Sequence, residues 1–398
     1  MNHVVAVCVL GSVFGFVDEA GFHIQPYLQR PEADAMTVMW ESTVPTTGEV
    51  RFGPTPELDQ AAVENEARTM HEVRLVGLLP ATRYFYRVRC GDTWSELKSF
   101  RSTPGPDAKH WRMVVYGDSR SFPDRHQRVA ELAGRFEPDV VLHTGDQVAQ
   151  GILRPQWKSQ FFDPAAGLFS RVPVVTSLGN HEQNASNYFQ YFALPGNERY
   201  FSFDFGNAHI IVLDSNDWGK SARDSAQYQW LAEDLRQPRT TRWNLVGFHH
   251  CLFSAHDKRP INPARWDWYP LFEDLGMDLV LTGHDHFYYR SWPIGRLDSN
   301  PRRGIPHLTT AGGGAPLYQM KERSYTAVEK AVHHVTVLDF EEGEIRGQAV
   351  DVDGNVFDRF TLTKEPTPAA EFCAFEVFDL ERSIRQAIET RPPTVLEE

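Results

Sequence analysis

Five short segments between residues 117 and 286 concentrate Asp, Asn and His. They read GDSR (117–120), GDQVA (145–149), GNHE (179–182), FHHC (248–251) and GHDH (283–286). Carboxylate, amide oxygen and imidazole together suit Zn, Fe, Mn and similar ions. Two such ions about 3.5 to 4 Å apart polarise a phosphoryl group and activate water near neutral pH. The pattern therefore predicts a metal site suited to hydrolysis, with Asp146 as the candidate bridging ligand.

Apolar, β-branched runs lead into these segments, and one further run ends at Asn216. The runs are RMVVYGD, DVVLHTGD, VPVVTSLGNH, HIIVLDSN, WNLVGFHH and DLVLTGHDH. Such runs are typical of strands buried between helix layers. Two stretches between the runs have helical spacing: Val129, Leu132 and Phe136, and Tyr228, Leu231 and Leu235. We expect a layered α/β domain whose six strands present polar residues at one edge, because open α/β sheets place functional groups outside their carboxyl ends.

The first hundred residues have a different pattern, with short strands separated by turns. From about Phe22 to Ser102, side chains alternate between two faces, as in MTVMW (36–40) and RYFYRVRC (83–90). This pattern over roughly 80 residues predicts a small all-β sandwich. The Pro- and Gly-rich segment STPGPDAKH (102–110) separates it from the α/β domain.

The predicted organisation has five parts. They are a possible leader at 1–20, a β-sandwich at 21–104, a linker at 105–110, a catalytic α/β domain at 111–363 and a tail at 364–398. Strand patterns return after Arg303, and the DG pair at 353–354 indicates a hairpin-type turn. The tail sequence EFCAFEVFDLERSIRQAI is compatible with docking as a strand or as a helix.

Residues 4–17 form an apolar run, VVAVCVLGSVFGFV. The run is too short to span a bilayer and has about the length of a signal-peptide core. Its flanks are imperfect, because no Lys or Arg precedes it and Asp18 lies close to Ala20 at the candidate cleavage point. This segment is the one feature that favours export, and a buried first strand or a misplaced start are the alternatives.

Composition excludes several classes of protein. With 41% hydrophobic and 23% charged residues, the chain is neither wholly disordered nor collagen-like. The formal net charge of −13 argues against binding to a nucleic-acid backbone, which depends on Lys and Arg. The four cysteines form no CxxC pair, which excludes a thiolate zinc ribbon. A small anionic substrate remains the expected partner, since bound metals would balance its charge.

The five segments resemble, in order and spacing across residues 111–290, the blocks of the calcineurin-like metallophosphoesterase superfamily. Within it, the sandwich and the phrases YFSFDFGNAHIIVLDSN, QYQWLAEDL and TTAGGGAPLY are similar to the purple acid phosphatases. The stretch LVGLLPATRYFYRV also resembles the late strands of a fibronectin type III domain. The resemblance extends from Gln25 to Leu362. It implies a two-sheet layered α/β metallophosphoesterase domain preceded by a small all-β sandwich.

The resemblance also implies a reaction and its residues. The reaction is hydrolysis of a small phosphate monoester by metal-bound hydroxide, with His181 protonating the leaving group. Two metal ions, Fe, Zn or Mn, are expected: the first held by Asp118, Asp146 and His286, the second by Asp146, Asn180, His249 and His284. A phosphodiesterase of the same superfamily is the close alternative. A non-catalytic adhesion protein with a degenerate site is the alternative from another class.

Two departures from the family pattern concern the first metal. Ala149 stands where purple acid phosphatases carry the Tyr that gives their colour, so no purple chromophore is expected. Arg120 stands where other superfamily members have a ligating His. The first metal is therefore expected to be weakly held, completed by water, or absent. Arg120 is either a bidentate phosphate contact, which its position favours, or a surface arginine paired with a carboxylate.

Several other residues have two interpretations. His256, in the loop after the fourth segment, is a candidate catalytic contact to the substrate's phosphate, as a loop His is in similar enzymes, and His250 is a second candidate. Cys251, where the family has Pro, is interpreted as a small buried hydrophobe rather than a nucleophile. His143 and His209 are interpreted as core histidines with satisfied hydrogen bonds.

Overall fold

The structure is a computed structural model that describes residues 20–216, 221–260, 262–296, 304–365 and 373–375. The apolar run at 4–17, on which the prediction of a leader depends, lies outside these ranges. Most of the predicted tail lies outside them as well. Among the described residues, no helix combines the length and the hydropathy that crossing a membrane requires.

Six strands form the first unit: β1 (Phe22–Gln29), β2 (Ala35–Gly53), β3 (Gln60–Val76), β4 (Arg83–Cys90), β5 (Thr93–Trp94) and β6 (Lys98–Arg101). The first half of β2 pairs with β1, its second half pairs with β4, and β3 pairs along both halves. Register shifts between Glu41 and Gly48 separate the two halves. Trp40, Tyr86 and Phe100 lie in the core that these strands share. The unit matches the small β-sandwich that the sequence predicts.

The strands of the second unit are β7 (His110–Tyr116), β8 (Val140–His143), β9 (Val174–Thr176), β10 (Phe201–Phe205), β11 (Ala208–Val212), β12 (Trp243–Phe248), β13 (Leu279–Thr282), β14 (Tyr288–Ser291), β15 (Ile294–Arg296), β16 (His307–Thr310), β17 (Thr326–Lys330), β18 (His334–Glu341), β19 (Glu344–Asp351), β20 (Val356–Thr363) and β21 (Cys373–Phe375). One sheet has the order β20-β19-β18-β7-β8-β9, and another has the order β10-β11-β12-β13-β16-β14-β17. β21 pairs with β15 in a parallel ladder, so the described part of the tail docks as a strand.

The six predicted strand runs are divided between these two sheets. β7, β8 and β9 are parallel neighbours in one sheet, and β11, β12 and β13 are parallel neighbours in the other. The expectation of one sheet edge was therefore incomplete. The two sheets share one core that includes Leu142, Leu245 and Leu281. The segments after β7 and β13 nevertheless meet, because the N–H of His284 donates to Asp118 at 2.9 Å.

The helices among the described residues are α1 (Pro123–Arg135), α2 (Arg154–Gln156), α3 (Asp163–Phe169), α4 (Ser186–Tyr191), α5 (Ala226–Arg236) and α6 (Arg265–Asp274), with a π-helical segment at Trp157–Phe162. α1 begins at Pro123, whose fixed φ suits the first helical position, and it buries Val129 and Leu132. α5 begins after Ser225, whose side chain accepts the N–H of Tyr228. Both helices agree with the predicted spacing.

Buried side chains of the sandwich anchor it to the α/β domain. Tyr27, Gln29 and Tyr86 donate to main-chain carbonyls of the second unit at 2.6 to 2.7 Å. Each of the three residues is at most 1% exposed, so the contact excludes water. Gln29 binds the carbonyl of Val174, the first residue of β9. The sandwich therefore supports the strand that leads to Asn180.

Candidate metal centre

Asp118 and Asp146 follow β7 and β8 at tight turns. Their φ angles are 59° and 56°, in the left-handed region that residues with a Cβ rarely adopt. The N–H of Asp118 donates to the carbonyl of Gly145 at 2.9 Å, which ties the two turns together. Both residues are at most 1% exposed. Strained, buried positions of this kind concentrate at functional sites, where the surrounding structure fixes the direction of the side chain.

Three candidate ligand atoms converge on the imidazole nitrogen Nε2 of His249. Its Nε2 lies 3.1 Å from Oδ1 of Asn180, 3.1 Å from Nδ1 of His284 and 3.3 Å from Oδ1 of Asp146. Metal–ligand bonds of about 2.0 to 2.2 Å place neighbouring ligands of a tetrahedral ion roughly 3.3 Å apart. The Nδ1 of His249 binds the carbonyl of Thr144 at 2.9 Å, which fixes the ring orientation. The second predicted ligand set therefore fits a single cation.

Asp118, Asp146 and His286 form a second, adjacent cluster, with ligand atoms within 4.8 Å of one another. Oδ1 of Asp118 lies 3.2 Å from Nε2 of His286, and it is buried without a hydrogen-bond partner among the described residues. The Nδ1 of His286 donates to the carbonyl of Pro316 at 2.6 Å. A buried carboxylate oxygen without a partner is costly unless a cation or a proton satisfies it. This cluster therefore also fits a cation.

Glu182, the last residue of GNHE, links the turn at Asp146 to the turn at Gly179. Its carboxylate accepts the N–H groups of Asp146, Gln147 and Gly179 at 2.6 to 2.9 Å. Burial, together with the charge of Asp146, raises the pKa of Glu182 to about 8. Gly179 is required here, because a Cβ at that position would lie 2.2 Å from Oδ1 of Asp146. The role of Glu182 was not predicted, although the motif contains it.

The charges of the centre compensate one another without a metal. Burial lowers the pKa of His249, yet the neighbouring Asp146 carboxylate outweighs burial and raises this pKa to about 9. Burial raises the pKa of Asp146, but His249 outweighs it and holds that pKa well below its usual range. Burial, followed by the charge of His249, lowers the pKa of His284. A cation at this place would take over the position of the His249 proton.

His181 lies at the mouth of the centre, with its side chain 30% exposed. Its N–H donates to Oδ1 of Asp146 at 2.9 Å, and its Nδ1 donates to the carbonyl of Ala149 at 2.7 Å. Nε2 is therefore the nitrogen that faces the centre, 3.8 Å from Oδ2 of Asp146. The main chain of Ala149 thus orients the predicted proton donor.

Arg120 reaches the carboxylate that the two clusters share. Its Nε lies 3.4 Å from Oδ2 of Asp146, and its Nη1 donates to Oγ of Ser121 at 3.2 Å. The side chain is 14% exposed. Arg120 is therefore placed beside the centre and is not an ordinary surface arginine, although it does adjoin a carboxylate.

Two family profiles match the chain. The calcineurin-like phosphoesterase profile matches residues 110–288, which include all five segments. The purple acid phosphatase N-terminal domain profile matches residues 22–102, which form the sandwich. Residues 110–288 therefore form a calcineurin-like phosphoesterase domain, preceded by a purple acid phosphatase N-terminal domain. The predicted family, the fold class and the enzyme class, a metallophosphoesterase that acts on phosphoric ester bonds, are thereby confirmed.

The chain is similar to several phosphatases along most of its length. Acid phosphatase type 7 of Homo sapiens is 28% identical, over 84% of this chain and 89% of that protein. Purple acid phosphatase 15 of Arabidopsis thaliana is 28% identical, over 62% of this chain and 53% of that protein. The purple acid phosphatase PPD1 from yellow lupin seeds has a similar fold, with a TM-score of 0.74 and 19% identity, covering 88% of this chain and 76% of that one. The family is dinuclear and metal-dependent, which makes the two clusters candidate ligand sets.

Tyr318 lies between His256 and the predicted metal ligand His286. Its ring is edge-on to Tyr318 at 5.2 Å, and Tyr318 stacks on His286 at 4.0 Å between ring centroids. Nδ1 of His256 accepts the N–H of Lys258 at 3.1 Å. No described contact joins His256 to a predicted ligand, so its substrate contact stays a prediction. Tyr318, which belongs to the phrase TTAGGGAPLY, is the aromatic residue that adjoins the centre.

His250 lies closer to the centre than His256. One of its ring nitrogens is within 4.8 Å of ligand atoms of His249 and His284. Its Nδ1 and the hydroxyl of Ser215 are 2.9 Å apart, and burial lowers the pKa of His250 to about 3. Ser215 follows β11 in the run HIIVLDSN, for which no metal ligand was predicted. This run therefore contributes a residue that positions His250.

Cys251 and His143 have the structural roles that the sequence suggests. Cys251 is 6% exposed, its thiol contacts the carbonyl of Gly283 at 3.1 Å, and burial raises its pKa. A thiolate nucleophile is disfavoured there. His143 is fully buried, and its Nε2 contacts Oγ of Ser119 at 3.0 Å.

Proposed function

We propose that this phosphoesterase hydrolyses phosphate monoesters at a centre of two cations. The observation that carries the proposal is the convergence of Asp146, Asn180 and His284 on Nε2 of His249 at 3.1 to 3.3 Å. Asp118 and His286 complete the adjacent cluster. Cations bound there would polarise the phosphoryl group and activate water near neutral pH. The intact second ligand set argues against a degenerate, non-catalytic site.

Asp146 is the proposed shared ligand. It is a member of the cluster with Asp118 and His286, and its Oδ1 also lies 3.3 Å from Nε2 of His249. Glu182 holds the N–H groups on both sides of this ligand, so the carboxylate is fixed before a substrate arrives. Preorganisation of this kind is what electrostatic stabilisation of a transition state requires.

His181 is the proposed proton donor to the leaving oxygen. The contact between its Nδ1 and the carbonyl of Ala149 leaves Nε2 as the nitrogen that faces the centre. Partial exposure of the side chain, at 30%, gives the ring access to a bound ester. Arg120 is proposed to bind the phosphate, because its positively charged guanidinium can pair with the negatively charged phosphate oxygens.

Metal analysis and turnover together test the proposal. Purified protein is loaded with Mn, Zn or Fe and assayed with p-nitrophenyl phosphate and with bis(p-nitrophenyl) phosphate. We expect metal-dependent turnover and a higher kcat/KM for the monoester. A higher kcat/KM for the diester would identify the phosphodiesterase alternative. No turnover with any metal, combined with unchanged metal content in Asn180→Ala and His249→Ala, would rule out the proposal.

A further inference from the structure

The turn that follows Ala149 exposes two large apolar side chains and is hydrogen-bonded to the main chain of His181. Ile152 is 62% exposed and Leu153 is 41% exposed. The N–H of Gly151 donates to the carbonyl of His181 at 2.8 Å. Ile152 is therefore the next residue after Gly151, which is hydrogen-bonded to His181, the proposed proton donor.

This turn is rigid, so the exposure of Ile152 is a fixed feature of the surface. The carbonyl of Gly151 accepts hydrogen bonds from Nε1 of Trp157 and from Nδ2 of Asn187, both at 2.8 Å. A Cβ at Gly151 would lie 2.1 Å from the carbonyl oxygen of Glu182. The close packing of Gly151 holds the next residue out towards solvent.

A second exposed apolar residue adjoins the other cluster. Leu317 is 37% exposed and lies in the chain between Pro316 and Tyr318. The carbonyl of Pro316 accepts the Nδ1–H of His286, and the ring of Tyr318 stacks on the same imidazole. Leu317 is therefore flanked on both sides by residues in contact with a predicted ligand.

Phe122, which is 40% exposed, lies in a third loop, two residues after Arg120. The N–H groups of Ser121 and Ala149 both donate to Oε1 of Gln160 at 2.9 Å. Through this shared acceptor, the loop that ends at Phe122 is tied to the loop that leads to Ile152.

Most of the exposed large apolar residues in the described part of the α/β domain lie in loops that also carry residues of the centre. Within the described part of the α/β domain, the large hydrophobic residues that are exposed are Phe122, Ile152, Leu153, Trp292 and Leu317. All except Trp292 lie in loops with a residue that contacts Asp146, His181 or His286. Clustered exposed apolar residues mark binding surfaces, whereas isolated ones are ordinary.

We infer that the substrate is a monophosphate ester of an apolar alcohol, an alkyl or aryl group, which these side chains contact. The inference rests on the proposed function. Hydrolysis breaks the bond between phosphorus and the ester oxygen, and the ester oxygen takes a proton from His181. Water adds its hydroxyl group to phosphorus, and its remaining proton restores the one that His181 gave up. The leaving alcohol therefore lies on the side of His181, where Ile152 and Leu153 are exposed.

A comparison of ethyl phosphate with hexyl phosphate tests the inference, because the two esters differ only in apolar length. We expect kcat/KM to be about tenfold or more higher for hexyl phosphate, since each methylene that leaves water favours binding. Ile152→Ser should reduce this ratio. Val76→Ser is the matched control, because Val76 is 56% exposed on β3 of the sandwich and should leave the ratio unchanged.

Calorimetry separates failure of this inference from failure of the proposed function. Ethylphosphonate and hexylphosphonate are titrated into metal-loaded protein, so that binding is measured without turnover. Tighter binding of hexylphosphonate, weakened by Ile152→Ser, supports the inference. Equal affinities together with equal kcat/KM values would overturn it and leave the proposed function standing. Absence of turnover for both esters with every metal would remove the proposed function and this inference with it.

Discussion

The guanidinium Nε of Arg120 lies 3.4 Å from Oδ2 of Asp146, the carboxylate proposed as the shared ligand. The contact places a permanent positive charge next to the cluster with Asp118 and His286. Nε is buried without a hydrogen-bond partner among the described residues, so its contact with Asp146 is an ion pair and not a hydrogen bond. The residue is proposed to bind substrate because its side chain, 14% exposed, places a guanidinium beside this cluster.

Replacement of this arginine should weaken substrate binding. We expect Arg120→Ala to raise KM for p-nitrophenyl phosphate about tenfold, because hydrogen bonds to charged groups contribute about 1.5 to 3 kcal/mol. Metal content per chain should stay the same. Arg128→Ala is the control, since Arg128 is 59% exposed on α1 and pairs with the exposed Asp353. Loss of metal with unchanged kinetics per bound ion would indicate a structural role instead.

Removal of the central imidazole should remove a metal. His249→Ala deletes the atom around which Asp146, Asn180 and His284 converge, and elemental analysis should show about one ion fewer per chain. Asn180→Ala should weaken the same ion. His110→Ala is the control, because this side chain is 50% exposed and lies at the start of β7. Unchanged metal content in both ligand variants would contradict the ligand assignment.

The leaving group should determine how much His181 matters. We expect His181→Gln to lower kcat for an alkyl phosphate by about 10² or more, the usual contribution of general acid catalysis. The loss should be smaller for p-nitrophenyl phosphate, whose phenolate leaves without a proton. Metal content should be unchanged, since His181 contacts Asp146 through its main chain. Equal losses for both esters would argue against proton donation.

The sequence predicted the strand ends well because two signals coincide there. β7 is followed by Gly-Asp, β8 by Thr-Gly-Asp, β12 by His and β13 by Gly-His, so a buried run and a metal-ligating residue type coincide at each strand end. The apolar pattern carries no signal for the division into two sheets, which the family resemblance alone implied. A buried strand has the same apolar pattern in either sheet, and pairing partners are set by packing across the whole chain.

Contacts made by distant loops were the part that the sequence did not predict. Tyr318 reaches His286 through a loop 32 positions later in the chain, and Gln160 joins two loops from a π-helical segment. Neither residue has a type or spacing that indicates metal chemistry. His256 shows the opposite case, since its type suggested a substrate contact and the structure places Tyr318 next to it. Side-chain direction in loops depends on tertiary contacts that periodicity does not encode.

His209 provides a test away from the metal centre. Its Nδ1 lies 2.6 Å from Oδ1 of Asp204, and its Nε2 lies 2.9 Å from Oδ2 of Asp234. The residue is 3% exposed, so the predicted core histidine has a carboxylate at each nitrogen. Burial lowers the pKa of His209, but the hydrogen bonds to Asp204 and Asp234 outweigh burial and raise it above the ordinary value.

The stabilisation from protonated His209 should therefore depend on pH. It is fully present below the unfolded-state pKa of about 6.5 and is lost as pH rises through the higher folded-state pKa. We expect His209→Gln to lower the melting temperature by about 2 °C near pH 6, equivalent to about 1 kcal/mol, and by less at pH 9. His110→Gln, an exposed histidine, should cause little change at either pH. A deficit for His209→Gln that grows towards pH 9 would contradict the assignment of a protonated imidazole between the two carboxylates.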